Sequence, residues 1–294
     1  MRVNPNIMPN LLASMNEALQ QEQTAVLQLS SGQRINRPSD DPAGAATLAR
    51  IQDRSSQADS FLRSMGDVQG QYQTADSTLN SVVLALQRAI SLGVEGANGT
   101  LSDSDRAALA GEVSGIRDQL LSLANVSYQG RYVFSGTAQV QPFALDASVA
   151  SGVRYDGNTG TNAVSIGNGY QLQLNVPGSQ VFSASGADVF AAVTNLITAL
   201  GSNSGVDTAV TGVRAAFDHV TSQRVFYGNA LNQIQSQQTY LNSDKLQLAQ
   251  QQDTVAATDV AATASQIVNA ENARQAALAA VGKLSQMSLF NYLS

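Results

Sequence analysis

Residues 65–89 read MGDVQGQYQTADSTLNSVVLALQRA, and the spacing of their apolar residues decides the fold class. Steps of three and four connect Met65, Val68, Tyr72, Ala75, Leu79, Val82, Leu86 and Ala89. This spacing places one apolar stripe along a single face of an α-helix. No proline interrupts residues 43–141. A helix over 43–92 alone would be about 75 Å long at ~1.5 Å per residue, so we predict a rod.

Two further stripes lie outward from this one. The first consists of Leu109, Val113, Ile116, Leu120 and Leu123, and the second of Val213, Phe217, Val220, Tyr227, Leu231, Ile234, Leu241 and Leu248. Three stripes can share one core only if the chain folds back on itself, which predicts a helical bundle. Asp41 with Pro42, and Ser102 with Asp105, are typical helix starts.

The middle of the chain has a different character. Eight of the 16 Phe and Tyr residues lie between Tyr128 and Phe190. Residues 153–155, a turn at 156–158 and residues 164–166 suggest a strand, a turn and a strand, and residues 170–176 alternate with period two. We therefore predict an α+β, mainly α protein with a small antiparallel β domain inserted into a helical rod. We also expect the rod to fold without the insert.

The two ends carry thinner stripes. A heptad register near the N-terminus includes Glu22 at one position, and an eleven-residue spacing recurs near the C-terminus. Such Ala-rich helices are marginal alone in water, so they need a partner, either each other or a neighbouring subunit. The predicted assembly contacts are Leu12, Met15, Leu19, Val26, Leu29, Val260, Ile267, Leu278, Leu289 and Leu293.

These patterns divide the chain into three predicted parts. Residues 1–36 with 256–294 form a terminal coiled-coil layer. Residues 37–130 with 205–255 form the helical rod. Residues 131–204 form the inserted β domain.

Composition excludes several classes of function. The net charge of −6 argues against binding to nucleic acid, whose phosphates require clustered Lys and Arg. The chain has no cysteine, which excludes disulfides and thiolate chemistry. No run approaches the roughly 20 apolar residues that span a bilayer, and no signal-peptide pattern begins the chain. We therefore expect no membrane contact, and a dedicated export route if the protein leaves the cell.

No residue pattern indicates catalysis. The single histidine, His219, has no partner for a dyad nearby in sequence, and a helix cap explains Asp40 and Asp41. The segment 156–160 faintly resembles a calcium loop, but Gly167 stands where the closing acid belongs. We predict a non-enzymatic protein with no cofactor and no metal.

Two segments resemble a known family. Residues 29–46, LSSGQRINRPSDDPAGAA, resemble the N-terminal signature of the flagellin and hook-associated protein family. Residues 277–293, ALAAVGKLSQMSLFNYL, resemble its closing helix. The matching signature and linker positions are Ser31, Gly32, Arg34, Ile35, Asn36, Asp40, Asp41, Pro42, Gly44 and Asp259.

The resemblance implies a structural subunit of the bacterial flagellum. In this family the terminal helices pair into an inner layer, and subunits leave the cell unfolded through a flagellar type III export apparatus with an export chaperone. Pro42 and the segment 130–137, GRYVFSGT, resemble the junction branch of the family, which forms a ring between hook-associated protein 1 and flagellin. A short flagellin is the alternative, and a secreted coiled-coil adhesin or tail-fibre protein is a more distant one.

Overall fold

The computed structural model describes residues 7–167 and 169–293, with the side chains of residues 8–167 and 169–283. Contacts group the chain into two compact units. Unit 1 consists of residues 1–57 and 243–294, and unit 2 of residues 58–242. The helices are α1 (Ile7–Ser31), α2 (Pro42–Gly96), α3 (Asp103–Ala124), α4 (Gly178–Phe182), α5 (Val189–Ser202), α6 (Val206–Ala256) and α7 (Val260–Leu293). The strands are β1 (Ser127–Tyr128), β2 (Arg131–Tyr132), β3 (Phe143–Leu145), β4 (Val153–Tyr155), β5 (Ala163–Gly167) and β6 (Tyr170–Gln173).

The stripe on α2 forms the centre of the core of unit 2. Every member from Met65 to Ala89 is at most 3% exposed. Buried residues of the α3 and α6 stripes belong to the same hydrophobic cluster, so the predicted shared core is confirmed. The interruption of the α6 stripe at Arg224 has a structural reason. Its guanidinium binds the carboxylate of Asp76 on α2 at 3.0 Å and the side chain of Asn80.

The predicted helix starts are confirmed. The backbone N–H of Gly44 donates to the carboxylate of Asp41 at 2.9 Å, and Pro42 is the first residue of α2. At α3, Ser102 and Asp105 form a reciprocal capping box. These contacts satisfy N–H groups that the first turn of a helix leaves without partners.

The middle segment differs from the prediction in its pairing. It contains three separate two-stranded antiparallel pairs, β1–β2, β3–β4 and β5–β6. The predicted hairpin from 153–155 to 164–166 is wrong, because β4 pairs with β3 and β5 pairs with β6. Pairing with β3 places Phe143 opposite Tyr155 and buries the Phe143 ring. Two helices, α4 and α5, also lie within the segment.

The core of the insert is continuous with that of the helices. Phe134, Phe143, Phe182 and Phe190 pack ring against ring, with centroid separations from 5.1 to 6.1 Å. These rings belong to the same hydrophobic cluster as α2, α3 and α6. The expectation that the rod folds without this segment therefore loses its basis, since the segment supplies aromatic side chains to the shared core.

Unit 1 contains the terminal helix pair. The loop after α1 is tied to the connection between α6 and α7 by hydrogen bonds from Arg34 N to Ala256 O at 2.7 Å and from Thr258 N to Gly32 O at 3.1 Å. From this junction α1 packs along α7 in antiparallel orientation. The boundaries of the two units differ from those of the three predicted parts. The segment 131–204 lies inside unit 2. Among the described residues, no helix has the length and apolar character needed to cross a bilayer.

Candidate assembly interface

The signature segment folds into a loop that links α1 to α2. The guanidinium of Arg34 bridges the Asp41 carboxylate at 2.9 Å and the Val255 carbonyl oxygen at 3.1 Å. The Gly44 N–H and Arg34 together hold the pKa of Asp41 below its ordinary value, because both stabilise the ionised carboxylate. Arg34 therefore joins the start of α2 to the end of α6.

A second carboxylate orders the turn before α2. Asp40 accepts hydrogen bonds from the backbone N–H groups of Asn36 at 3.1 Å and Arg37 at 2.8 Å. The Asn36 side chain donates to the Gln33 carbonyl oxygen, and the Ser31 hydroxyl accepts from the Gln33 N–H. The two adjacent acids thus have separate structural tasks, one in the turn and one at the helix start.

Glycine is required at two positions of the loop for different reasons. Gly32 has a φ of +69°, a left-handed conformation that costs side-chain-bearing residues energy. At Gly44 an added Cβ would meet the buried Ile35 side chain and the Asp41 carboxylate more closely than ordinary contacts allow. The signature residues are therefore explained by the local geometry of this loop.

Asp259 begins the closing helix. Its carboxylate accepts hydrogen bonds from the backbone N–H groups of Ala261 and Ala262, both at 3.0 Å. The negative charge also lies at the positive end of the helix dipole. Asp259 was predicted only through the family resemblance, and the structure gives it a physical role as the N-cap of α7.

Small residues form the contact between α1 and α7. Ala18 and Ala25 are buried on α1, and Thr263 and Ala270 are buried on α7. On α1, Ala18 and Ala25 are more buried than the neighbouring Leu19 and Val26 of the predicted heptad, whereas Met15 and Glu22 of that heptad are partly buried at the seam. Alanine permits a closer approach of two helix backbones than leucine does. The seven-residue spacings of Ala18 and Ala25, and of Thr263 and Ala270, were the signal that the sequence analysis missed.

The larger apolar residues lie beside this seam and face solvent. Leu12 and Val26 on α1 are 47% and 49% exposed, and Leu278 on α7 is 49% exposed. Each follows a seam position by one residue, a rotation of about 100° around its helix. In an antiparallel pair this rotation leads to the same side of both helices. We call this side, formed by Leu12, Leu19, Val26 and Leu278, the apolar face.

The other predicted contact residues fall in three groups. Met15 and Ile267 are half-buried at the seam, and Leu29 and Val260 are exposed near the link loop. The side chains of Leu289 and Leu293 lie outside the described residues. The structure thus brings Leu12, Leu19, Val26 and Leu278 together on one surface and places the remaining described residues at its edge or at its base.

The opposite side of the helix pair is polar. A groove there has Ala25 and Ala270 at its floor, and amide and hydroxyl side chains together with the Glu17 carboxylate along its walls. The walls include Gln20, Gln21, Thr24, Gln28, Gln266 and Asn269. The terminal pair is therefore asymmetric: one side of the seam carries Leu12, Leu19, Val26 and Leu278 beside the exposed Glu271, and the other side carries mainly amides.

One charged pair interrupts the seam of small residues. The Nε atom of Arg274 on α7 lies 3.1 Å from the Oε2 atom of Glu22 on α1. Both atoms are shielded from solvent, and neither has a hydrogen-bond partner among the described residues, so the contact between them is an ion pair without hydrogen-bond geometry.

The described residues show contacts and no reactive arrangement. Nowhere among them do three or more His, Cys, Asp or Glu side chains gather as metal ligands would. The Nε2 atom of His219 lies 2.7 Å from the Gln180 carbonyl oxygen, and Asp156 pairs with Arg154 at 2.6 Å. These side chains hold the fold together, so the helix pair and its apolar face are the best candidate for a functional surface.

The chain is similar to known proteins in its N-terminal half and over most of its length. Residues 3–139 match the bacterial flagellin N-terminal helical region. The chain is 28% identical over 290 residues to flagellar hook-associated protein 3 of Escherichia coli K12, and the alignment covers 90% of each chain.

Two solved structures have the same fold. A putative flagellar hook-associated protein from Vibrio parahaemolyticus superposes with a TM-score of 0.68 at 20% identity, over 74% of this chain and all of that one. The flagellar junction protein of Legionella pneumophila gives a TM-score of 0.62 at 16% identity, over 72% of this chain and all of that one.

The fold, the signature loop and the end-to-end similarity define a class, the axial structural proteins of the bacterial flagellum. The matched N-terminal region and the similarity over 90% of both chains support a member of the hook-associated protein 3 group.

Proposed function

We propose that this chain is a structural subunit of the bacterial flagellum that joins hook to filament. The observation that carries the proposal is its similarity to hook-associated protein 3 over 90% of both chains. The structure adds a physical reason for assembly, since the terminal helix pair leaves an apolar face without a partner among the described residues. The subunit acts through packing, so we propose no enzymatic activity and no cofactor.

The apolar face is the proposed contact between subunits. Leu12, Val26 and Leu278 are each about half exposed, so packing against a neighbour would remove the rest of their surface from water. Burying such a half-exposed side chain contributes about 1 kcal/mol, and repetition around a ring multiplies the gain. The proposed neighbours are copies of this chain, hook-associated protein 1 on the hook side and flagellin on the filament side.

Export precedes assembly in this proposal. The subunit would leave the cell through the flagellar type III export apparatus, with an export chaperone protecting the C-terminal helix. Marginal terminal helices suit this route, because little intramolecular burial has to be lost before passage.

Location on intact flagella tests the proposal. A chain carrying an epitope tag in the exposed 97–100 turn should label one narrow band between hook and filament. Cells lacking the chain should release flagellin into the medium, and the tagged chain should restore filaments. Label along the whole filament would instead identify a short flagellin, and no label on flagella would overturn the proposal.

A further inference from the structure

The Glu22–Arg274 pair is the feature of the helix pair that the assembly proposal leaves unexplained. Side-chain exposures of 26% and 32% place both groups largely within the interface. A charge in such a position costs desolvation energy, which a single ion pair does not reliably recover. An alanine or leucine would pack there at less cost, so the pair requires an explanation other than stability.

The rest of the seam offers little basis for choosing a partner. Its buried members are alanines and one threonine, which would pack almost equally well against a second α1 or a second α7. The charged pair is different. Between residues 7 and 31 the chain has no Lys or Arg, so two α1 helices packed together would leave Glu22 without a cation. Two α7 helices would likewise bring Arg274 to a seam that lacks an acid, because Glu271 lies on the exposed surface.

We propose that Glu22 and Arg274 select the partner of each terminal helix. Pairing of an α1 helix with an α7 helix is favoured. Pairing of two like helices is disfavoured, because a charge would be left in the seam without its counter-ion. The partner that packs on α1 is thus defined by its chemistry. It is a helix whose contact face is formed by alanines and carries one cation level with Glu22. This selection would act wherever several copies of both helices are present at high concentration.

The absence of cysteine permits a direct test in the full-length chain. Ala25→Cys and Ala270→Cys place thiols on the two helices within one groove. A short bifunctional thiol reagent then reports pairing of α1 with α7 as an intramolecular cross-link. The measurement uses dilute monomer, so its result does not depend on assembly or on the location of the protein in the flagellum.

Reversing one charge should break the selection, and reversing both should restore it. In Glu22→Arg or Arg274→Glu the intramolecular cross-link should form about tenfold more slowly, because like charges then meet at the seam. The double variant should cross-link at the parental rate. Glu17→Arg is the matched control, since it makes the same charge change at an exposed position on the rim of the same groove, outside the seam, and should have little effect on the cross-linking rate.

A mixing experiment separates partner selection from simple stabilisation. Glu22→Arg chains with a single thiol at position 25, mixed with Arg274→Glu chains with a single thiol at position 270, should form cross-linked heterodimers. Their yield should exceed that of either chain alone by about tenfold, because each reversed helix finds its complement only in the other chain. Circular dichroism confirms that each variant is folded. Unchanged cross-linking in the single variants, failure of the folded double variant to recover, or no heterodimer in the mixture would each overturn the proposal.

Discussion

Unit 2 and the terminal helix pair are both patterned by apolar residues, but they place their large side chains oppositely. In unit 2, Tyr72, Leu79 and Leu86 are fully buried in one cluster. In the terminal pair, alanines lie inside and leucines lie outside. The difference indicates two purposes for the same kind of pattern. Unit 2 uses burial for its own stability, whereas we propose that the terminal pair keeps apolar surface for contact with other chains.

The largest effect is expected from removing part of the unit 2 core. Replacing residues 131–204 with a short Gly/Ser linker deletes Phe134, Phe143, Phe182 and Phe190 from the shared cluster. Losses of about 3–5 kcal/mol for each large aromatic exceed the total stability of most domains. Chemical denaturation followed by circular dichroism should show no cooperative transition. A cooperative transition near that of the parent would show that the helices have a sufficient core without the insert.

A single core truncation should produce the next largest effect. Leu79→Ala opens a cavity at a fully buried site and should lower the free energy of unfolding by about 2–5 kcal/mol. Leu84→Ala is the matched control on the same helix, because Leu84 is 58% exposed and its truncation should cost about 0.5 kcal/mol or less. Urea denaturation measures both values. Equal losses for the two variants would contradict the core described for α2.

The sequence predicted these two regions to different extents. The stripe on α2 was predicted residue by residue, because a long run of three-four spacing reports directly on one buried face. The burial of Ala18 and Ala25 is marked only by the seven-residue spacing of two small residues. Leu19 and Val26 were favoured as contact positions because of their size. Which residues of α1 are actually buried depends on how closely α7 approaches α1. The helix α5 was missed because β-branched residues and the surrounding turns resemble a β-rich segment.

The sequence identified residues of the candidate site but did not predict the contacts between them. Arg34, Asp41 and Gly44 were identified through a family signature, while their mutual contacts depend on the long-range return of the chain at Val255. Pairing of the strands failed for a similar reason. Strands of two to five residues contain too little pattern to specify a partner, so tertiary packing of Phe143 decides it.

A smaller, pH-dependent effect is expected in the link loop. Asp41→Asn keeps a capping oxygen but removes the charge that faces Arg34, so the melting temperature at neutral pH should fall by less than in Leu79→Ala. Because folding lowers the pKa of Asp41, the stabilisation is present above its unfolded value of about 3.9 and is lost as the pH falls through the folded value. Thermal melts from pH 7 down to pH 3 should therefore show the variant and the parent converging only at the acid end. A constant difference across this range would exclude an ionic contribution.

The central claim is that the apolar face serves contacts between chains and contributes little within one. Leu12→Asp and Leu278→Asp each place a carboxylate on that face, and Gln20→Glu adds the same charge at an exposed position on the polar side of α1. Melting of the purified monomer and retention of the exported chain on flagella should be measured in parallel, with export quantified by the total amount of the chain outside the cell. We predict that all three monomers change by about 0.5 kcal/mol or less, and that only the two leucine variants are exported without being retained, with flagellin released into the medium. A large loss of monomer stability in the leucine variants, or normal retention on flagella, would contradict the account.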